Sequence, residues 1–265
     1  MWNTFILSPM VNVLIYVYDL ILHNFGIAII IFTILIKLIT YPLTAQQVRG
    51  QQKMQGLQTS PKYKEIQKKY KDDKEKFAQE QMKLYKEMGI NPLGSCLPLV
   101  IQFPIMIGLY QSISLAMASA PLQLLTLSRS LYAFIPASVL IPLNSKFLWM
   151  NLGLPEIASP NAFYIGPYAI PIMTILVVLT TFLQSKLMTP AGNPGDQGAQ
   201  MSKQMTLMMP LMMGFIAYSL ASGLALYFLV SNILAVAQYA VMGQIKWSNL
   251  LPQKTVSKKK LSSKN

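Results

Sequence analysis

The placement of charge limits what this chain can fold into more than any other feature. Of its 22 Lys and Arg, 11 lie between Gln46 and Cys96, with 6 of the 9 acidic residues. Another 6 lysines follow Gln244, with no acid among them. Outside these two segments the charged residues are Lys37, Arg129, Lys146, Lys186, Lys203, Asp19, Glu156 and Asp196. A water-soluble fold carries charge over most of its surface, whereas a lipid-embedded one needs it only on loops and tails. Charged residues make up 12% of the chain and hydrophobic ones 53%; a globular domain carries about 25% charged. An all-α, polytopic membrane protein is expected.

The net charge of +13 does not point to nucleic acid. It sits on segments that flank apolar helices, where cytoplasmic loops concentrate Lys and Arg. Attraction to anionic lipid headgroups is the expected consequence. One cysteine, Cys96, and one histidine, His23, exclude an intrachain disulfide framework and a multi-cysteine or histidine metal cluster. The first 22 residues hold no basic residue, so no secretory leader is expected.

Hydropathy and helix breakers divide the chain. Residues 1–24 are apolar but interrupted by Asn12 and Asp19; Val13, Val17 and Leu20 follow helical spacing. This reads as an amphipathic helix on the outer membrane face. A first span is expected over 25–45, with Pro42 kinking or ending it. Residues 46–96 form a polar segment read as a cytoplasmic helical hairpin, turning near Tyr70 to Asp73. Its first helix starts at Ser60-Pro61, and Asp72-Asp73 cap the second. Phe77, Gln81, Leu84, Tyr85 and Met88 keep a 3-to-4 spacing there. A second span follows at 97–117, then an outer-face loop with short helices at 118–163 and a third span at 164–187. A cytoplasmic loop occupies 188–204. The stretch beyond is too long for one crossing and divides at Ser222-Gly223 into spans at 205–221 and 224–242. A basic tail occupies 243–265. With five spans, the lysine-rich segments fall on one side, so the N-terminus is expected outside and the C-terminus in the cytoplasm.

Lys37 is the outstanding candidate residue, because a charge well inside a span is costly unless water or a partner meets it. Thr33, Lys37 and Thr40 are spaced i, i+4, i+7 and form one polar stripe. Gln102 and Gln111 in the second span and Ser231 and Gln238 in the fifth add polar side chains, and together they allow a hydrophilic cavity. Thr180, Thr181, Gln184 and Asn232 are further polar residues in the spans. None of the five spans contains a carboxylate, which weakens an ion-coupled transporter. No nucleophile–base pair, phosphate loop or metal motif is evident, so neither an enzyme nor a cofactor is expected. The residues alone leave open a channel or small-solute transporter, or a scaffold for membrane protein assembly.

Several segments, taken in order, carry a resemblance. They are Lys37-Leu38-Ile39-Thr40-Tyr41-Pro42-Leu43-Thr44, Ser60-Pro61-Lys62, Asn91-Pro92-Leu93-Gly94 and Gln102-Phe103-Pro104-Ile105, then Ser222-Gly223-Leu224 and Val230-Ser231-Asn232. From about Leu7 to Met242 the chain resembles the YidC-type membrane protein insertases, with their mitochondrial and thylakoid relatives. The resemblance implies a five-span insertase core with a cytoplasmic helical hairpin, in a bacterial plasma membrane. It implies insertion and folding of nascent membrane proteins, alone or beside the Sec translocon, by a monomer. It also implies a hydrophilic groove open to cytoplasm and lipid and closed outside, with the family's usual Arg replaced by Lys37. The expected groove residues are Lys37, Thr33, Thr40, Gln102, Gln111, Ser231 and Gln238. Substrate would slide along the outer faces of the third and fifth spans, and the ribosome and targeting factors would meet the hairpin.

Overall fold

A computed structural model describes residues 2–21, 23–58, 60–70, 73–89, 97–117, 121–133, 135, 143–159, 162–165, 167–188, 197–243 and 245. Helices dominate: α1 (Ser8–Leu20), α2 (Phe25–Gln58), α3 (Pro61–Lys69), α4 (Lys74–Glu87), α5 (Leu97–Ala116), α6 (Pro121–Ser130), α7 (Ile172–Met188), α8 (Gln197–Ser219) and α9 (Ser222–Val241). Two small antiparallel ribbons interrupt the all-helical expectation. Strand β1 (Lys146–Phe147) pairs with β2 (Met150–Asn151), and β3 (Phe163–Ile165) pairs with β4 (Tyr168–Ile170). Both lie in or beside the loop expected to hold only short helices, of which α6 is one.

Among the described residues, Phe25–Met54 and Ser222–Val241 are long and apolar enough to cross a membrane; their most apolar 18-residue windows have mean hydropathy of 2.2 and 1.8. Ile172–Met188 and Thr206–Ser219 are shorter apolar helices. Helix α2 runs 34 residues straight through Pro42. At 1.5 Å per residue that is about 51 Å, longer than the ~30 Å hydrocarbon core. Proline removes one backbone donor, and the neighbouring hydroxyls of Thr40 and Thr44 bond back to the carbonyls of Ile36 (2.8 Å) and Thr40 (3.0 Å). Helix α7 begins at Ile172, eight residues later than the span expected from hydropathy. The aromatic and β-branched residues on either side of Gly166-Pro167 pair as strands instead.

The buried face of α1 comprises Met10, Val11, Leu14, Ile15, Val17 and Tyr18, packed against α2 and α5. Val13 and Leu20, which the spacing had placed on the apolar face with Val17, are exposed. Asn12 is buried because it is fully used. Its amide donates to the carbonyls of Ser8 and Ser130, and its oxygen accepts from the Tyr132 N–H at 2.7 Å.

Helices α3 and α4 pack as a pair on the C-terminal end of α2. Ser60 and Asp73 cap them, accepting from the N–H of Tyr63 and Lys76. Leu57, Tyr63, Phe77, Leu84 and Tyr85 make a small core separate from the bundle. Gln81 donates to the Tyr85 hydroxyl at 2.8 Å, while Met88 is exposed.

The opposite end of the bundle is closed by residues 143–159. The Leu154 carbonyl accepts from both the N–H and the hydroxyl of Ser222 (2.8 and 2.7 Å), and the Leu152 carbonyl accepts from the Gly223 N–H at 3.0 Å. A Cβ on Gly223 would meet the Leu152 oxygen at 3.0 Å, so glycine permits this close approach. Phe147 lies against Gly26 at the start of α2. Glu156 is 1% exposed. Its carboxylate accepts from the N–H groups of Met173 (2.9 Å) and Thr174 (3.3 Å) at the start of α7, and from the Trp149 indole at 3.1 Å. A carboxylate at a helix N-terminus meets both free donors and the positive end of the dipole. Replacing Glu156 with Ala should destabilise the protein by about 2–4 kcal/mol, since charge-assisted bonds are lost and buried donors are left unmet. A lowered midpoint of thermal unfolding in detergent would register it.

Candidate functional site

Helices α2, α5, α7, α8 and α9 enclose a cavity of about 210 Å³. Each helix presents to it one face of 3-to-4 spacing. Lys37, Thr40, Thr44 and Gln47 come from α2, and Gln102 from α5. Thr181, Gln184 and Ser185 come from α7, and Tyr227, Ser231, Asn232 and Gln238 from α9. Helix α8 adds the apolar Met209 and Met213. Among the described residues the lining holds no acid, and Lys37 is its one charged side chain.

The polar side chains are tied across helices. Gln238 Nε2 donates to the Lys37 carbonyl at 3.3 Å, joining α9 to α2. Asn232 Nδ2 donates to the hydroxyls of Thr181 (2.8 Å) and Thr180 (3.2 Å), joining α9 to α7. Gln102 Nε2 donates to the Tyr227 hydroxyl at 2.9 Å, joining α5 to α9. The Lys37 side chain is half-buried, and among the described residues no acid or hydrogen-bond acceptor meets its ammonium. Two acceptors, Gln184 Oε1 and Gln238 Oε1, are buried and unpartnered. An unmet buried acceptor costs about 1–3 kcal/mol, so this arrangement favours water or a polar guest.

The cavity is one-sided along the bundle. It lies toward the Gln47 end of α2. Beyond Tyr227, toward Gly26 and Ser222, come Ile29, Phe32, Leu109, Ile113 and Leu224, each at most 2% exposed. Leu152 of the closing loop is also fully buried there. The bundle is therefore polar at one end and dry at the other.

Of the seven residues proposed from sequence, five line the cavity: Lys37, Thr40, Gln102, Ser231 and Gln238. Thr33 and Gln111 do not. Thr33 is fully buried in the dry half and spends its hydroxyl on the Ile29 carbonyl at 2.6 Å. The i, i+4 stripe is real, but one helical turn of about 5–6 Å carries it out of the polar zone. Gln111 lies nine residues beyond Gln102, about 13 Å along the axis, and accepts from the Trp2 indole at 2.7 Å. Thr181, Gln184 and Asn232, noted as polar span residues but not among the seven, also line the cavity, and Tyr227 was not singled out for it. The i, i+4, i+11 spacing of Tyr227, Ser231 and Gln238 was the available signal.

The family model described as 60Kd inner membrane protein matches residues 16–248. The chain belongs to that family. It is 36% identical to Membrane protein insertase YidC 2 of Listeria innocua over 241 residues, covering 89% of this chain and 70% of the relative. It is 37% identical to Membrane protein insertase YidC of Fusobacterium nucleatum over 220 residues, covering 83% and 86%. Against Membrane protein insertase YidC of Syntrophobacter fumaroxidans the identity is 34%, covering 89% of this chain but 37% of the relative. Among solved structures, the fold matches one titled "Active YidC insertase crystal structure with the first transmembrane domain resolved". That match has a TM-score of 0.50 and 26% identity, and covers 84% of this chain and 42% of that one. The family is one of inner membrane proteins, and the apolar helices of this chain are consistent with that setting.

The Gln102–Tyr227 bond is the polar border of the dry half. Tyr227→Phe and Gln102→Leu should each destabilise the protein, by about 1 kcal/mol. The double variant should lose less than the sum, with a coupling of about 0.6–1.7 kcal/mol, the range of interhelical bonds in membranes. Unfolding of all four proteins in one detergent gives the cycle.

Proposed function

We propose that this protein inserts nascent transmembrane segments into the membrane and assists their folding, with the cavity around Lys37 as the entry groove. The observation that carries the reading is an ammonium that meets no acid among the described residues, in a polar cavity between apolar helices closed at one end by a dry core. Five spans, formed by α2, α5, α7, α8 and α9, cross a bacterial plasma membrane. The N-terminus is outside, and the α3–α4 hairpin and basic tail are cytoplasmic, in keeping with their lysines.

A nascent segment approaches from the cytoplasm. Its short polar tail enters the groove, and an acidic tail is drawn to Lys37. Thr40, Gln102, Ser231, Asn232 and Gln238 replace part of the water that the tail gives up, which lowers its desolvation cost. The apolar part moves into lipid along α7 and α9. Their exposed side chains Ile175, Leu179, Phe182, Leu183 and Ile233 offer a continuous greasy face. Burial of apolar surface drives the step, so no covalent reaction or cofactor is required. A lysine here supplies charge without the planar fork of an arginine, so attraction is directional only loosely. Ribosomes and targeting factors meet the lysine-rich hairpin, anionic lipids meet the hairpin and tail, and the Sec translocon is a further partner. The protein works as a monomer.

In proteoliposomes, Lys37→Glu should lower insertion of a substrate with an acidic tail at least ~tenfold, about 1.4 kcal/mol, while Lys37→Arg retains it. Equal insertion by Lys37→Glu would refute attraction at this site. Deleting residues 62–88 should reduce delivery of ribosome-bound chains yet spare insertion of a released peptide. Unchanged delivery would remove the hairpin from the pathway.

A further inference from the structure

The β3–β4 ribbon has no role in the groove and presents an unusual surface. Its register pairs Phe163 with Ile170, Tyr164 with Ala169, and Ile165 with Tyr168. Phe163, Tyr164, Ile165 and Tyr168 are exposed by 48%, 59%, 71% and 77%. Four large apolar or aromatic side chains exposed on a ribbon that, among the described residues, pairs with no third strand would be an aggregation hazard in water. The usual protections are absent. No charged residue occurs between Glu156 and Lys186.

Three observations say what covers this surface. First, the ribbon leads through Pro171 directly into α7, so it sits at the end of an apolar helix. The first turns of that helix also expose large apolar side chains, Ile175 and Leu179. Second, its residue types combine an apolar body with phenolic hydroxyls on Tyr164 and Tyr168, which suits the boundary between hydrocarbon and headgroups. Third, one side of the ribbon is held to the closing loop. Phe163 meets the Trp149 ring edge-on at 5.5 Å, and Trp149 donates to Glu156, which caps α7. The ribbon is thus fixed in orientation relative to the helix.

We infer that the β3–β4 ribbon is a lipid-interface anchor, with Ile165 and Tyr168 seated among the headgroups and upper acyl chains at the Ile172 end of α7. The occupant is the lipid surface itself, not a partner protein. The inference rests on α7 being a membrane span. Anchored there, the ribbon sets the depth of α7 and, through Glu156, holds the closing loop at the membrane surface.

The test uses the full chain with Cys96→Ser and single nitroxide labels at Ile165→Cys or Tyr168→Cys. The protein is reconstituted in vesicles of phosphatidylethanolamine and phosphatidylglycerol. Leu179→Cys on α7 and Lys83→Cys on the hairpin serve as lipid and water references. Accessibility to oxygen should exceed that to a nickel chelate at positions 165 and 168, as at 179 and opposite to 83. Greater access for the chelate at both ribbon positions, with 179 still in lipid, overturns the anchor alone. A label at 179 in water overturns the span beneath it. Labels shielded from both reagents, or dipolar broadening between chains, place the ribbon against protein and also overturn the proposal. All sites are exposed, and using two separate ribbon variants keeps the outcome independent of one substitution's effect on folding.

Discussion

An ammonium group does not settle in hydrocarbon unless something polar meets it, and the arrangement of this bundle follows from that cost. Lys37 sits in the apolar N-terminal half of α2, where its immediate neighbours Leu35, Ile36, Leu38 and Ile39 are aliphatic. The neighbouring helices turn amide and hydroxyl side chains toward the same space, and among the described residues none contributes an acid to neutralise the charge. A carboxylate would have made a closed ion pair and a quieter core. Neutral dipoles leave the charge available, and leave Gln184 and Gln238 with unmet acceptors. Such a site is held ready for a polar guest and is costly when dry.

The other half of the bundle makes that state tolerable. Above Tyr227 the helices pack with aliphatic residues and Phe32, and Gly223 lets the backbone of the closing loop come within van der Waals reach. Backbone bonds from Leu152 and Leu154 to the start of α9, and from Glu156 to the start of α7, satisfy two helix ends at once. The loop is therefore part of the fold's stability rather than a passive connection. Asn151, Glu156 and Ser159 in the loop are each hydrogen-bonded, which helps a segment with so little charge hold its shape.

Much of this was legible from residue order. Charge segregation and uninterrupted apolar runs marked a helical membrane protein, and Ser60-Pro61 and Asp73 marked the hairpin helices, because capping chemistry is local. Lys37 stood out because burial of charge is expensive wherever it occurs. What the sequence hid was depth and direction. Thr33 and Lys37 share a helical stripe, yet four residues of rise separate the apolar packed zone from the polar-lined cavity. Spacing placed Val13 and Leu20 with Val17 on one apolar face of α1, but it cannot say which part of that face packs on the bundle, as Val17 does, and which stays exposed. The strands at 163–170 were read as the start of a helix, since an apolar run fits either form. Tyr227 was overlooked because its hydroxyl matters only through Gln102, a residue 125 positions away.

Helix α2 carries both the groove lysine and, without a break, the base of the hairpin. A rod of that kind transmits displacement, so leverage applied at its far end is felt at the turn around residue 37. The stiffness is not uniform. Pro42, Gly50 and Gly56 lie between the two, and no atom stands within 4 Å of where a side chain on either glycine would begin. Packing does not demand glycine there, and each weakens a helix interior by about 1 kcal/mol against alanine. These compliant points set how much of any tug on the hairpin arrives at the ammonium and how much is absorbed in bending.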